Sequence, residues 1–245
     1  PSLLDRRLRE ETKRILDGVV APEAPAPRFS AIAGPGPAPQ TATFRVLENP
    51  DGYLTDPSNF TDVTADLKYE GAHTLLYVDS ETYAAAISDA EAEALGLAFD
   101  GSIYGIDRNL LGEESDINGD GKVAILLSPV VNRMTPAGAA TSEGFIAGFF
   151  MPGDLIPQYM PAGCTNGMEI FYTIVPDPEN RYGNEYSKEY ALDVIEGVLA
   201  HEFNHMIVFN YRVLIYGHGY MGTYLEELWL EEDLSHIAED LNGYD

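Results

Sequence analysis

One cysteine, Cys164, stands in 245 residues, so no disulfide can close within the chain. Cysteine usage therefore gives no vote for an oxidising compartment. Cys164 sits in the turn-like stretch Gly163-Cys164-Thr165-Asn166-Gly167 with no histidine close by in sequence. It reads as a small buried residue rather than a nucleophile. Basic residues are scarce too: 14 Lys and Arg face 40 Asp and Glu, for a formal net charge of -26. A phosphate backbone needs a basic patch, so nucleic acid is excluded as a partner and an anionic membrane surface is disfavoured. Long apolar runs are also missing. The nearest, from Met206 to Tyr216, is interrupted by Asn210 and Arg212. It falls short of the roughly 20 residues a membrane helix needs. No signal peptide is visible, and the chain begins at Pro1 rather than Met. The expectation is a leader removed upstream and a protein secreted or associated with the cell envelope.

What is present describes a globular chain: 45% hydrophobic and 22% charged residues can enclose a sizeable core under a solvated acidic surface. Residues 3–17 predict an amphipathic helix, with Leu4, Leu8, Ile15 and Leu16 near one face and Gly18 able to end it. Residues 21–40 are dense in Pro, Ala and Gly and read as a semi-rigid linker or strap. The domain boundary is placed there: 1–40 form the N-terminal helix and linker, and 41–245 the main domain. From 41 to 80 the pattern is β, with the runs TATFRVLE and HTLLYVDS between NPDG and YEG turns. Residues 83–98 predict a helix, Val123 to Leu127 a strand, and GFIAGFF and MEIFYTIV two more apolar runs. The β-rich part thus spans 41–175 and a helical part 186–245. Helices are expected over 186–210 and 224–242. Strands precede helices rather than alternating with them, which points to the α+β class. No internal repeat is found.

The helical stretch KEYALDVIEGVLAHEFNHMIVF carries His201-Glu202-Phe203-Asn204-His205. Residues four apart on a helix share a face, so His201 and His205 can bind one zinc ion through imidazole nitrogens. Glu202 is rotated by about 100° and reaches a water on the metal rather than the metal itself. It is the candidate general base, passing a proton to the leaving amine. Val194, Val198, His201, His205 and Val208 recur at helical spacing, which puts the motif on a continuous helix. A catalytic zinc needs a third protein ligand. The downstream helix offers Glu226, Glu227, Glu231, Glu232, Asp233, His236 and Glu239, and helical geometry does not choose among them. Asp193, Glu196 and Glu239 are candidates to orient a ligating histidine. A donor to the oxyanion of the tetrahedral intermediate is sought among Tyr211, Tyr216, His218, Tyr220 and Tyr224.

The pairing of AHEFNH with WLEEDLS resembles the gluzincin metallopeptidases, in which a Trp-Leu-x-Glu-Gly pattern supplies the third ligand. More closely, DINGDGKVAILLSPVVN, GFFMPGDLIP, MEIFYT, LAHEFNHMIVFN and WLEEDLSHIAED resemble, in that order, the hyicolysin-type neutral zinc metallopeptidases. The resemblance covers at least residues 99–245, and its last two segments are the specific ones. It implies a thermolysin-like, zincin-like domain whose active-site helix follows a β-rich segment. It also implies Glu232 as the third zinc ligand and hydrolysis of protein or peptide substrates. One position departs from the pattern: residue 233 is Asp where Gly is expected.

Asp116-x-Asn118-x-Asp120-Gly121 matches the first half of a calcium loop, with oxygen ligands at alternate positions and Gly for the turn. The twelfth position is Leu127, not Glu, and no helix follows. A calcium site would need a distant carboxylate such as Asp107, Glu113 or Glu114. The other reading of the loop is a polar turn into a buried strand. The functional expectation is a zinc endopeptidase. The competing reading is a metal-stabilised surface or adhesion protein with weak or lost peptidase activity. A different zinc hydrolase such as an amidase stands third.

Overall fold

The structure is a computed structural model that describes residues 3–18, 36–137, 145–216, 225 and 228–244. It is α+β: among the described residues, six strands form one sheet, with helices packed around it. Strands β1 (Thr41–Leu47), β2 (Phe60–Glu70) and β3 (Thr74–Asp79) are joined by antiparallel pairing. β4 (Val123–Leu127) and β6 (Ile170–Thr173) continue the sheet in parallel. β5 (Gly148–Phe150) closes it as an antiparallel edge, giving the order β1-β2-β3-β4-β6-β5. All five residues of β4 are buried, as expected of an inner strand covered on both faces.

Helix α1 (Leu3–Gly18) precedes the sheet. Helices α2 (Asp89–Ala98) and α3 (Tyr104–Leu111) lie between β3 and β4, and α4 (Pro129–Met134) follows β4. Helices α5 (Lys188–Phe209) and α6 (Leu228–Asn242) come last and pack on each other. The strict strands-then-helices order therefore does not hold: a parallel pair needs a long crossover, and α2 and α3 supply it between β3 and β4. The helix expected from 83 starts only at Asp89. Ser88 accepts from the amide of Glu91 while Glu91 reaches back to the amide of Ser88, a capping box that fixes the start. Of the apolar run GFIAGFF, only Gly148–Phe150 pairs as strand.

The core joins sheet to helix through aromatic rings. Phe99 lies 6.0 Å from Phe171 of β6 and 5.0 Å from Phe203 of α5, and Tyr104 stacks 5.6 Å from Phe203. Ile195, Leu199 and Phe203 are fully buried and form the core face of α5. The stripe of Val194, Val198 and His201 is only partly buried and lines a cavity instead. Leu4 and Leu8 of α1 are 3% exposed and join the same apolar core, so the N-terminal helix packs against the main domain. Most of the linker, residues 21–35, lies outside the described residues. Cys164 is free and buried, and burial pushes its thiol up. Among the described residues, no helix is long and apolar enough to cross a membrane.

Candidate metal centre

α5 is started by Ser187, whose side chain accepts from the amide of Tyr190, and it runs unbroken through both histidines. His201 and His205 stand one turn apart with ring centroids 4.7 Å from each other. α6 lies against this turn, where Asn204 donates to the Leu234 carbonyl at 2.9 Å. The contact brings Glu232 to the two rings: His201 Nε2 is 3.8 Å from one carboxylate oxygen and His205 Nε2 3.7 Å from the other. His201, His205 and Glu232 form a group whose ligand atoms all lie within 4.8 Å of one another. Asp233, next along α6, is exposed and outside that group.

The Nδ1 edges of both rings are occupied. His201 Nδ1 meets Glu239, and His205 Nδ1 lies 3.1 Å from Glu231. In the neutral rings, an Nδ1 that donates to its carboxylate leaves Nε2 with a lone pair on the side of Glu232, the form in which a histidine ligates a metal. Nε2 of His205 is buried with no hydrogen-bond partner, an atom left for a ligand that is not a protein group. Two imidazole nitrogens and one carboxylate are a donor set that zinc takes, and tetrahedral bonds of about 2.0–2.1 Å space such donors about 3.4 Å apart. The residues present therefore fit a metal ion of this kind. Burial alone pulls the proton affinity of the metal-free His205 ring down. The bond to Glu231 and the charges of Glu202 and Glu232 outweigh it and push the pKa up to about 10. The spot favours a cation, and a metal would replace that proton.

Of the residues expected to orient a histidine, Glu239 does so for His201. Asp193 and Glu196 line the larger neighbouring cavity instead. Glu231 serves His205, and sequence reasoning missed that role. Its signal was adjacency: a residue beside a ligand on a helix is rotated by about 100° and can reach the other edge of the imidazole. His201, His236 and Glu239 form a second grouping that shares His201. Glu239 lies 3.2 Å from His236 Nδ1, and His236 is exposed.

Glu202 is 4% exposed, and one of its oxygens accepts from the amide of Phe150, the last residue of β5, at 2.8 Å. Burial pushes its pKa up to about 7, against the pull of the two histidines and the Phe150 amide; Asp5 of α1 adds to the rise. Two cavities meet here. One is bounded by Asp5, Leu8 and Arg9 of α1 together with Glu202, His205 and Glu232. The other runs past Val194, Val198 and His201 to Glu239. Neither expected oxyanion donor that the structure describes lies at these walls. The Tyr211 hydroxyl accepts from the amide of Glu113, and Tyr216 is exposed. Gly112, at φ 105°, leaves room for that hydroxyl; a Cβ there would lie 2.4 Å from it. His218, Tyr220 and Tyr224 lie outside the described residues.

The chain is 30% identical over 191 residues to the neutral metalloprotease ShpI of Staphylococcus hyicus. This chain is similar to a neutral metalloprotease. The match covers 72% of the chain but only 39% of the relative. No protein-family model matches the chain.

Proposed function

We propose that the chain is a zinc-dependent endopeptidase of the gluzincin kind, with a zincin-like unit over residues 41–245 and the N-terminal helix and strap, 1–40, appended to it. The observation that carries this reading is the meeting of His201, His205 and Glu232, with both histidines oriented by carboxylates and Glu202 beside them. His201 Nε2, His205 Nε2 and the Glu232 carboxylate would hold the zinc. Bound there, zinc would supply Lewis acidity and lower the pKa of a coordinated water.

The chain's own residues do the rest. Glu202 takes a proton from the attacking water and returns it to the leaving amide nitrogen. A carboxyl group held near neutrality by burial suits both steps, and the Phe150 amide fixes its direction. Among the described residues, β5 is a sheet edge beside the site, paired only with β6. Apart from the Phe150 amide, which Glu202 takes, its outward main-chain groups suit an extended peptide added as a further strand. Protein or peptide is accordingly the proposed substrate, and secretion or attachment to the cell envelope the proposed location. The reading in which peptidase activity is lost drew on Asp233, which is exposed and outside the ligand group.

The test is Glu202→Gln. It should keep zinc bound, measured by metal analysis, and abolish casein cleavage. Undiminished cleavage would sink the mechanism. Zinc bound stoichiometrically by a wild-type chain that cleaves nothing would favour the surface-protein reading.

A further inference from the structure

Outside the metal centre, the loop before β4 presents side-chain oxygens at alternate positions. Asp116 Oδ1 accepts from the Gly121 amide at 3.1 Å, Asn118 Oδ1 from the Asp120 amide at 3.2 Å, and Asp120 Oδ1 from the Lys122 amide at 2.8 Å. Gly119 and Gly121 take φ of 75° and 69°, which only glycine adopts freely. This is a loop with oxygens at alternate positions, and by itself it could be a plain polar turn. A residue distant in sequence makes it more. Glu169, just ahead of β6, is 1% exposed. Its Oε1 accepts from Ser115 Oγ at 2.6 Å and from the Ile117 amide at 3.0 Å, the two residues flanking Asp116. Its Oε2 is buried with no hydrogen-bond partner.

A buried carboxylate next to Asp116 is costly without a cation. Lys122 carries its ammonium to the Gly71 carbonyl and lies 3.7 Å from Glu70. The carboxylates named from sequence are used elsewhere: Glu113 and Glu114 pair with Arg108, and Asp107 accepts from Asn242 at 2.8 Å.

We propose that Asp116, Asn118, Asp120 and Glu169 form a calcium site, with Glu169 replacing the carboxylate that position twelve of such a loop normally supplies. Hard oxygen donors, three of them carboxylates, suit calcium rather than zinc. In calcium loops of this pattern the seventh position gives a main-chain carbonyl, and here that residue is Lys122. The bond from Asn118 Nδ2 to Asp120 Oδ2, 2.9 Å, is one the ion would displace. The site ties the Asp116 loop to the starts of β4 and β6, inner strands of the sheet. Its role is structural, and it does not depend on the peptidase reading.

The test is calorimetric titration of the full chain with calcium chloride, with and without one equivalent of added zinc, alongside thermal unfolding. One calcium per chain should bind in the range of about 10⁻⁵ to 10⁻³ M and raise the unfolding midpoint by about 5 °C at saturation. Magnesium at equal concentration should do much less. Asp120→Asn should abolish the binding, and Glu169→Gln should weaken it at least tenfold. Where Glu169→Gln does not fold by circular dichroism, Glu169→Asp serves in its place with the same expected loss. No binding at 10 mM calcium, binding unchanged in Asp120→Asn, or binding unchanged in the Glu169 variant would each overturn the proposal.

Discussion

Arg9 and Glu231 form an ion pair between the first helix and the last, and the other oxygen of Glu231 lies 3.1 Å from His205 Nδ1. The side chains of Arg9 and Glu231 are 18% and 14% exposed. One end of the chain is therefore bound to a carboxylate that orients a candidate metal ligand. With Leu8 buried and Asp5 beside Glu202, α1 forms part of the wall of the site.

Arg9→Ala should loosen that wall. A charge-assisted hydrogen bond of this burial contributes about 1.5–3 kcal/mol. Its loss should speed zinc removal by a chelator about tenfold, while Glu231 still orients His205. Zinc release followed with a colorimetric dye checks this, and an unchanged rate would show that α1 does not restrict access.

The third ligand can be separated from its neighbour. Glu232→Ala should leave a chain that retains little zinc after dialysis. Asp233→Ala should retain zinc like the parent and cleave casein within about twofold of it, because Asp233 is exposed and outside the group. Zinc retention in Glu232→Ala would remove Glu232 from the ligand set.

The carboxylates behind the histidines should tune affinity rather than chemistry. Glu239→Gln and Glu231→Gln should each weaken zinc binding about 10- to 100-fold, as loss of a ligand's hydrogen-bond partner commonly does. At saturating zinc most of the turnover should return. Competition titration against a chelator of known affinity, paired with turnover at high zinc, measures both.

Asp107 gives the fold a pH dependence. It is fully buried, accepts from Asn242, and burial pushes its carboxyl up to about 7 from an ordinary value of 3.8. The folded chain thus holds that proton more tightly than the unfolded one. The stabilisation is complete below pH about 4 and is lost as pH rises through about 7. The unfolding midpoint should therefore fall between about pH 4 and 7 in the parent and fall less in Asp107→Asn. Calorimetric scans across that range decide it; equal slopes would count against a protonated Asp107.

The core face of α5 should matter to stability more than to zinc chemistry directly. Phe203 is fully buried between Phe99 and Tyr104. Phe203→Ala should cost about 3–5 kcal/mol, read from urea unfolding.

The sequence by itself determined the local parts. Helical spacing four apart put His201 and His205 on one face, and Glu202 beside them, because backbone geometry fixes that relation within one turn. Alternating oxygens and two glycines likewise shaped the Asp116 loop. Periodicity did not choose the core face of α5. Val194 and Val198 line a cavity and the 195-199-203 stripe is buried in the core, since a helix apolar on several sides does not say which side will be covered. Helical spacing left the third ligand open and the resemblance named Glu232; only the tertiary structure set Glu232 and Glu231 at opposite edges of His205, brought Glu169 to a loop about 50 residues before it, and joined Arg9 to Glu231 across 222 positions. Such pairings depend on how α1, α5, α6 and the sheet pack, and no spacing along the chain encodes that docking.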